Sequence, residues 1–360
     1  LPDNYIIEPI CISEYNGYMA RTLRKKTKKI TKDSIKIGDI IYRILWVKFS
    51  IIDYLLKYKF RKKPFFQKFL VANIVKSLKE YDLIIAHSFF SGLVAKEVKH
   101  RYGIPYCITW HGSDIHSQPK LSPYFFKSTV DILDNANSNI FVSHALLNAA
   151  NEFSHVKNGK VLQNGVNEDF VKFNSEKRRK IRANYQISDE EVVIAFAGNL
   201  IPIKNASLIP DIFSLIEKNI RKKITFWFIG DGELRPIIEN KMKAAQLKSQ
   251  YKFFGNQPYE KMPLLMNCVS LLVLPSKNEG LPLVTVEALK CGAMVIGSRV
   301  GGIPEAIGED NTVELGDNFI ERFARRCIDA LNGNYKIADI NHLTWHNTAK
   351  KELEEISLFL

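Results

Sequence analysis

The sequence predicts an α/β protein built from two domains, each with a doubly wound parallel sheet. The first observation is length, since 360 residues at roughly 100–200 per domain give two domains. The second is that short strands, apolar throughout, alternate with helical segments, which is typical of parallel sheets covered on both faces. The third is that this alternation begins again near Val192, so the second half repeats the build of the first.

The first domain is expected over residues 1–168, and its pattern is least regular before Pro64. The predicted elements are a strand near Tyr5–Ile12, helices over Ile40–Phe60, Phe65–Glu80 and Gly92–Arg101, and strands over Asp82–Ala86, Tyr106–Trp110, Ile140–Val142 and Val161–Leu162. Gly103 and Pro105 end the helix before them, because both residue types favour helix termination.

The second domain is expected over residues 169–340, after a polar and charged hinge at Glu168–Arg182. Its predicted elements are strands over Val192–Ala197, Ile224–Ile229, Ser270–Leu274 and Ala293–Ile296, and helices over Asn205–Asn219, Glu233–Leu247 and Pro282–Lys290. Two such sheets predict a cleft between them, and ligands bind at the carboxyl ends of the strands in sheets of this kind.

Composition excludes several protein classes. Hydrophobic residues make up 46% and charged residues 25%, which is ordinary for a globular protein and unlike disordered or collagen chains. The five cysteines are far apart and form no CxxC pair, which argues against a disulfide framework and against a zinc site. We therefore expect buried thiols and no metal.

The net charge of +13 is concentrated near the start of the chain. Residues 1–100 hold 20 Lys and Arg against nine Asp and Glu, with basic clusters at Arg24–Lys29 and Arg61–Lys63. Basic clusters among aromatic residues suit an anionic membrane surface, single-stranded nucleic acid or a solvated basic face. Nucleic acid is the least favoured, because no helix-turn-helix, ribonucleoprotein or zinc motif is present. The first residues lack signal-peptide features, so a cytoplasmic location is expected.

The strongest chemical signal is the segment Glu279–Glu287, a loop followed by a helix expected to begin at Pro282. Free N–H groups of a first helical turn, together with the helix dipole, form an anion site for which phosphate is a natural guest. The expected anion-binding residues are Gly280, Leu281, Pro282 and Leu283. Glu287 can accept hydrogen bonds from a ribose, and Glu279 from a second sugar. The alternative is a surface helix with an acidic first turn.

Lys204 and three glycines add to this signal. Lys204 follows the first strand of the second half, where its ammonium group can face a phosphate, and the alternative is a solvated lysine at the start of a helix. Gly198 and Asn199 precede it, and Gly230 and Gly232 follow the next strand. Such turns can bring the backbone close to a ligand, although a purely structural turn is the default explanation for each glycine.

In the first half, His111 follows the strand Tyr106–Trp110. At the end of a strand, an imidazole can donate a hydrogen bond to a substrate oxygen or move a proton. His87 ends the preceding strand and carries the same signal with less force. A histidine satisfied by the backbone is the alternative for both.

Several segments, in this order, resemble the motifs of a known family. They are Ile108–Asp114, Asn164–Asn167, Gly198–Lys204, Phe228–Leu234, Phe254–Gly255, Leu274–Leu289, Cys291–Gly292 and Val300–Glu305. The chain resembles the retaining glycosyltransferases of family 4, which have the GT-B fold. The resemblance covers about Asp82–Ile307, and its signature is the pair Glu279 and Glu287 with seven residues between them.

This resemblance implies transfer of a sugar from a nucleotide-diphosphate donor to an acceptor hydroxyl, with the anomeric configuration retained. Lys204 and the helix N-terminus would neutralise the diphosphate without a metal, and no other cofactor is implied. Glu287 would hold the ribose, Glu279 the donor sugar, and His111 would reach the reacting carbon from the other domain. The implied acceptor is a glycan or lipid-linked glycan of a cell-surface polysaccharide, which favours peripheral attachment to the inner face of the membrane. Residues 341–360 resemble the family's closing segment, which packs back on the first domain, and the alternative is an ordinary terminal helix.

Two features depart from the family pattern. Asn199 stands where the family usually has Arg, and the family's opening strand with its Gly-rich loop is not found. The sequence therefore predicts a first sheet without its first strand and an incomplete acceptor site.

The alternative to a glycosyltransferase is a non-catalytic or weakened sugar-nucleotide-binding or glycan-binding subunit of the same fold. A related epimerase is disfavoured by the glutamate pair and Lys204, and a phosphorylase by the length.

Overall fold

The computed structural model describes residues 6–16, 34–37, 40–49, 55–60, 62, 72 and 74–360. The chain divides into two compact units. The first consists of Leu1–Ile140, Ala149–Lys160 and Ile356–Leu360, and the second of Phe141–Asn148 and Val161–Glu355. The expected boundary at residue 168 thus falls inside the second unit, to which most of the expected closing segment 341–360 also belongs.

The described residues of the first unit form two sheets. The strands are β1 (Ile10–Asn16), β2 (Ser34–Ile37), β3 (Ile40–Phe49), β4 (Ile84–His87), β5 (Tyr106–Trp110), β6 (Ser138–Phe141) and β7 (Gly159–Val161). One sheet has the order β1-β3-β2 and the other β4-β5-β6-β7. In the first sheet β1 is parallel and β2 antiparallel to β3.

Helices and an apolar core connect these sheets. Beside the helical residues 74–77, the helices from residue 88 onward are α1 (Ser88–Tyr102), α2 (Ser113–His116), α3 (Pro123–Asn135) and α4 (His144–Asn151), of which α4 crosses the division between the units. Val94 and Val98 of α1 are buried with Leu78, and Ile12 of β1 and Leu45 of β3 pack against the same cluster. The strands β1 and β3 therefore belong to the core of the first unit.

The prediction of a helix over Ile40–Phe60 was wrong. Residues Ile40–Phe49 form β3, and among the described residues that follow, Leu55–Lys59 form a short helical turn of the π type. β-branched and aromatic residues fit a pleated surface, and pairing with β1 and β2 supplies the hydrogen bonds of this strand. Such pairing is non-local, so the apolar spacing within the segment did not reveal it.

The second unit contains one six-stranded sheet. Its strands are β8 (Val192–Ala197), β9 (Ile224–Ile229), β10 (Gln250–Gly255), β11 (Leu271–Leu274), β12 (Met294–Ser298) and β13 (Thr312–Val313). The order is β10-β9-β8-β11-β12-β13, and every adjacent pair is parallel. The strands β8, β9 and β11 are buried along their whole length, as their apolar sequences predict.

Helices flank these strands. They are α5 (Ser175–Asn184), α6 (Ile209–Asn219), α7 (Arg235–Ala244), α8 (Met262–Cys268), α9 (Leu283–Lys290), α10 (Ile303–Ile307), α11 (Phe319–Leu331) and α12 (Trp345–Ile356). Phe213 of α6 stacks on Phe226 of β9 at 4.2 Å between ring centroids, which joins helix and sheet through aromatic contact.

The expected hinge at Glu168–Arg182 is in large part a packed helix. Asn174 caps α5 by accepting a hydrogen bond from the backbone N–H of Lys177 at 2.8 Å. Arg182 is fully buried and donates to the carbonyl oxygens of Cys268, Ser188 and Glu191. The charged composition that indicated a linker belongs instead to a surface helix whose one buried cation donates to backbone acceptors through Nη1 and Nη2.

Several expectations fall outside the described residues. These include the basic cluster Arg24–Lys29, most of Arg61–Lys63 and the start of the helix Phe65–Glu80. Among the residues that the structure describes, no helix is both long and apolar enough to cross a membrane. The same residues include no group of three or more His, Cys, Asp or Glu placed to hold a metal ion.

Candidate active site

The strand order of the second unit reverses between β8 and β11, which are hydrogen-bonded neighbours. In an open α/β sheet, ligands bind beyond the carboxyl ends of the strands at such a reversal point. The loop after β8 carries Lys204, and the loop after β11 carries Glu279. The topology therefore brings together two residues that are 75 positions apart in the sequence.

Lys204 and Glu279 form an ion pair with 2.5 Å between Nζ and Oε1. The hydroxyl of Ser276 donates to the same carboxylate oxygen at 2.7 Å. The two loops are also joined through the backbone, since the N–H of Lys277 donates to the carbonyl of Ile203 at 2.8 Å. The side chains of Lys204 and Glu279 are only 22% and 10% exposed, so this charge pair is largely shielded from water. Ser276 was not singled out from the sequence, because its role depends on a contact with Glu279.

The turn Gly301–Gly302 supports the loop that carries Glu279. A Cβ atom on Gly301 would lie 2.0 Å from the carbonyl oxygen of Glu279, and one on Gly302 would lie 1.9 Å from that of Gly280. The N–H of Gly302 donates to the Glu279 carbonyl at 3.3 Å. Only glycine permits this backbone approach, so the pair positions Glu279.

The glycines after β8 and β9 pack against each other's loops. A Cβ on Gly230 would lie 2.1 Å from the carbonyl oxygen of Gly198, and one on Gly232 would lie 2.5 Å from that of Leu200. These contacts provide a structural reason for glycine at both positions, and ligand binding by Gly198, Gly230 and Gly232 stays a prediction. Asn199, which follows Gly198 in the loop after β8, has an exposed side chain.

Helix α9 follows Glu279 and presents its N-terminus beside this loop. It begins at Leu283, whereas Pro282, expected as the first helical residue, is the extended N-cap. The backbone ψ angle of 100° at Pro282 places it outside the helix, and no side chain caps this end. Uncapped N–H groups and the positive end of the dipole suit an anion, in keeping with the expected role of Gly280, Leu281, Pro282 and Leu283.

Glu287 lies one turn further along α9, with only 7% of its surface exposed. Burial raises the pKa of its carboxyl group to about 7. A hydrogen bond with Tyr259 lowers this pKa and so offsets part of the effect of burial. The Tyr259 ring packs on Phe170 with 5.5 Å between centroids. Burial and the nearby Glu287 carboxylate raise the pKa of the Tyr259 hydroxyl to about 12. Tyr259 was missed from the sequence, because it lies in a separate turn and no local motif marks it.

His111 lies in the first unit, immediately after β5. The carboxylate of Asp114, which is buried, accepts hydrogen bonds from the backbone N–H groups of His111 and Gly112, at 3.3 and 3.0 Å. Gly112 has a φ angle of 140°, which favours glycine. Packing around its ring lowers the pKa of His111, and the neighbouring His87 lowers it further, while Asp114 raises it. Asp114 thus fixes the loop that carries His111.

Comparison with known proteins places these residues in a family. Residues 177–351 match the family model "Glycosyl transferases group 1", and residues 38–170 match the family model "Glycosyltransferase Family 4". The chain belongs to the group 1 glycosyltransferases. Lys204, Glu279 and Glu287 fall within the first of these matches and His111 within the second.

Two curated members of the glycosyltransferase family illustrate the similarity. An uncharacterized glycosyltransferase of Methanocaldococcus jannaschii is 32% identical over 72% of this chain and 65% of its own length. TuaC of Bacillus subtilis, named for teichuronic acid biosynthesis, is 28% identical over 67% of this chain and 60% of its own length. The chain thus spans less than two thirds of the length of these relatives.

A solved structure confirms the fold. HepE of Anabaena, determined in complex with UDP, matches with a TM-score of 0.71 and 20% identity, over 87% of this chain and 86% of that chain. The fold of this glycosyltransferase family member is therefore GT-B, with two Rossmann-like α/β domains.

Proposed function

We propose that this protein transfers a sugar from a nucleotide-diphosphate sugar to an acceptor hydroxyl. The observation that carries the proposal is the ion pair between Lys204 and Glu279 at the point where the strand order of the second unit's sheet reverses. Glu279 also lies three residues before Pro282, the N-cap of α9, whose N-terminus has no side-chain cap. A diphosphate leaving group carries negative charge that increases as the bond to the sugar breaks. Preorganised positive groups at that position stabilise the transition state more than the ground state.

Each residue has a part in this proposal. Lys204 and the first turn of α9 hold the diphosphate, Glu287 accepts hydrogen bonds from the ribose, and Glu279 contacts the donor sugar. His111 of the first unit acts near the reacting carbon as a hydrogen-bond donor. Because the protein supplies positive charge at the diphosphate, we propose no metal for the reaction. Retention of the anomeric configuration is part of the proposal and is supported by the family resemblance.

The proposed acceptor is a glycan or lipid-linked glycan used in cell-surface polysaccharide synthesis. The relationship to TuaC, named for teichuronic acid biosynthesis, supports this class. The excess of basic residues among the first 100 supports peripheral binding to an anionic membrane face on the cytoplasmic side. A liposome sedimentation assay with and without anionic lipid tests this part, and absence of salt-sensitive pelleting would contradict it.

The central test is calorimetric binding of UDP, GDP, ADP and CDP to the parent chain and to Glu287→Ala. UDP comes first, because the Anabaena neighbour holds it. We expect one nucleotide to bind the parent and to bind the variant at least tenfold more weakly. Glu321→Ala is the matched control, since Glu321 is an exposed carboxylate on α11. If none of the four nucleotides binds a parent that melts cooperatively, the proposal is wrong.

A second candidate, a binding subunit without catalysis, is favoured by Asn199. The position lacks the cation usual in the family, and Arg235, the first residue of α7, is already paired with Asp231 and Glu239 at 2.9 and 2.8 Å. Release of free nucleotide from a donor sugar distinguishes the candidates, because a binding subunit retains the donor intact. We expect Asn199→Arg to increase turnover about tenfold, since a charge-assisted hydrogen bond contributes about 1.5–3 kcal/mol. Asn199→Gln is the control, and an equal effect of both variants would contradict a missing charge.

A further inference from the structure

Two imidazole rings meet at the carboxyl ends of β4 and β5. The Nδ1 atom of His87 lies 3.2 Å from the Nε2 atom of His111, and the ring centroids are 5.4 Å apart. His87 is the last residue of β4 and pairs in register with Thr109 of β5, two residues before His111. The parallel register therefore places the two side chains next to each other.

The backbone on both sides of this contact is fixed. The carbonyl of His87 accepts a hydrogen bond from the hydroxyl of Ser91, one turn along α1. Asp114 holds the N–H groups of His111 and Gly112. Since both backbones are held, the contact between the rings determines how the His111 side chain is oriented.

The contact also distinguishes the two nitrogens of His111. A distance of 3.2 Å between two ring nitrogens accommodates one hydrogen, donated by one ring and accepted by the other. Nε2 of His111 is engaged by His87 in either case, and Nδ1 is the nitrogen left for another partner. Because one hydrogen is shared, the tautomer of His87 determines whether Nδ1 of His111 donates or accepts.

We infer that His87 is a positioning residue for His111, which it holds through Nε2 so that Nδ1 is the nitrogen presented to substrate. This inference rests on the proposed function, in which His111 acts near the reacting carbon. Asp114 and His87 are the charged and titratable groups that act on His111. His87 itself touches no reacting atom in this arrangement.

The first test reads the imidazole pair without requiring activity. Nitrogen-15 NMR of histidine-labelled protein is recorded for the parent, His87→Leu and His87→Asn, with His111→Gln to assign the resonances. We expect a single neutral tautomer of His111 in the parent, a mixture of both in His87→Leu, and a single tautomer again in His87→Asn, whose amide lies where Nδ1 of histidine lies. A tautomer of His111 that is the same in the parent and in His87→Leu would overturn the inference.

The second test is kinetic. We expect His87→Leu to lower kcat at least tenfold while the KM for the donor changes less than threefold, and His87→Asn to recover kcat to within threefold of the parent. Equal kcat values in the Leu and Asn variants, whether both high or both low at unchanged melting temperature, would overturn the inference. Absence of nucleotide binding by the parent would instead count against the proposed function, and the NMR result would then decide the positioning role alone.

Discussion

The two units handle charge in different ways. In the second unit the Lys204 ammonium is matched by the Glu279 carboxylate, and a second carboxylate, Glu287, is buried one turn into α9. In the first unit His87 and His111 are neighbouring imidazoles, and burial of the His111 ring holds its pKa below the ordinary value. Under the proposed function, the second unit takes up the diphosphate and the first unit supplies a hydrogen bond.

The strongest test of this contrast is Lys204→Ala. The change removes the cation and leaves Glu279 facing the diphosphate, so we expect kcat/KM to fall about 100- to 1000-fold, the usual effect of losing one electrostatic donor at a leaving group. Steady-state release of free nucleotide measures it. Lys277→Ala, an exposed lysine on the β11 loop, is the control and should change the rate less than twofold. Equal losses in both variants would show that general positive charge, and not the pair with Glu279, matters.

Gly302→Ala tests whether the loop of Glu279 is held by backbone packing. Gly302 has an ordinary φ of −80°, so the penalty comes from contacts of its new Cβ, which would lie 1.9 Å from the Gly280 carbonyl oxygen and 3.0 Å from the Cβ of Ser143. A displacement of about 1 Å at a catalytic group can cost about 100-fold in rate, and we expect a loss of this size. Gly333→Ala is the control. At a φ of 101° the new alanine strains the backbone, but the space around its Cβ is open, so this variant reports the effect of strain without a close contact. If Gly333→Ala lowers the rate as much, the close approach is irrelevant to activity.

Glu287→Gln gives the smallest expected effect and the clearest pH signature. We expect nucleotide affinity to fall about 10- to 100-fold, because hydrogen bonds to a charged acceptor contribute about 1.5–3 kcal/mol. The pKa of Glu287 is raised from 4.5 to about 7 in the folded protein. Parent affinity should therefore decline as pH falls below about 7, whereas the variant should show no such decline. Calorimetry between pH 5.5 and 8 measures both, and parallel pH profiles would contradict a role for the ionised carboxylate.

The same pKa shift predicts a change in stability. Because the folded state binds the Glu287 proton more tightly than the unfolded state, the free energy of unfolding of the parent should decrease as pH rises from about 4.5 to 7. Glu287→Gln should lose this contribution to the pH dependence, which denaturant titration at several pH values measures.

The elements of the second unit were predictable because each strand is a short apolar run bounded by polar residues. Val192–Ala197 and Ile224–Ile229 were predicted with their observed bounds. Ile40–Phe49 was assigned to the wrong type, because its strand depends on partners elsewhere in the chain. Lys204 and Glu279 could be selected from their positions after strands, whereas their direct contact could not. Ser276 and Tyr259 depend on non-local contacts and left no local pattern. The turn Gly301–Gly302 could be selected from the sequence, whereas its contact with the loop of Glu279 could not.

The ion pair between Lys204 and Glu279 means that the protein carries its own counter-ion where the donor would bind. A small free anion gains little by entering, because it must compete with a carboxylate already in place and shielded from water. A sugar nucleotide can compensate through its base, ribose and sugar contacts. We therefore expect inorganic phosphate, which is abundant in cells, to bind weakly at Lys204, because the Glu279 carboxylate both occupies the ammonium group and repels a small anion.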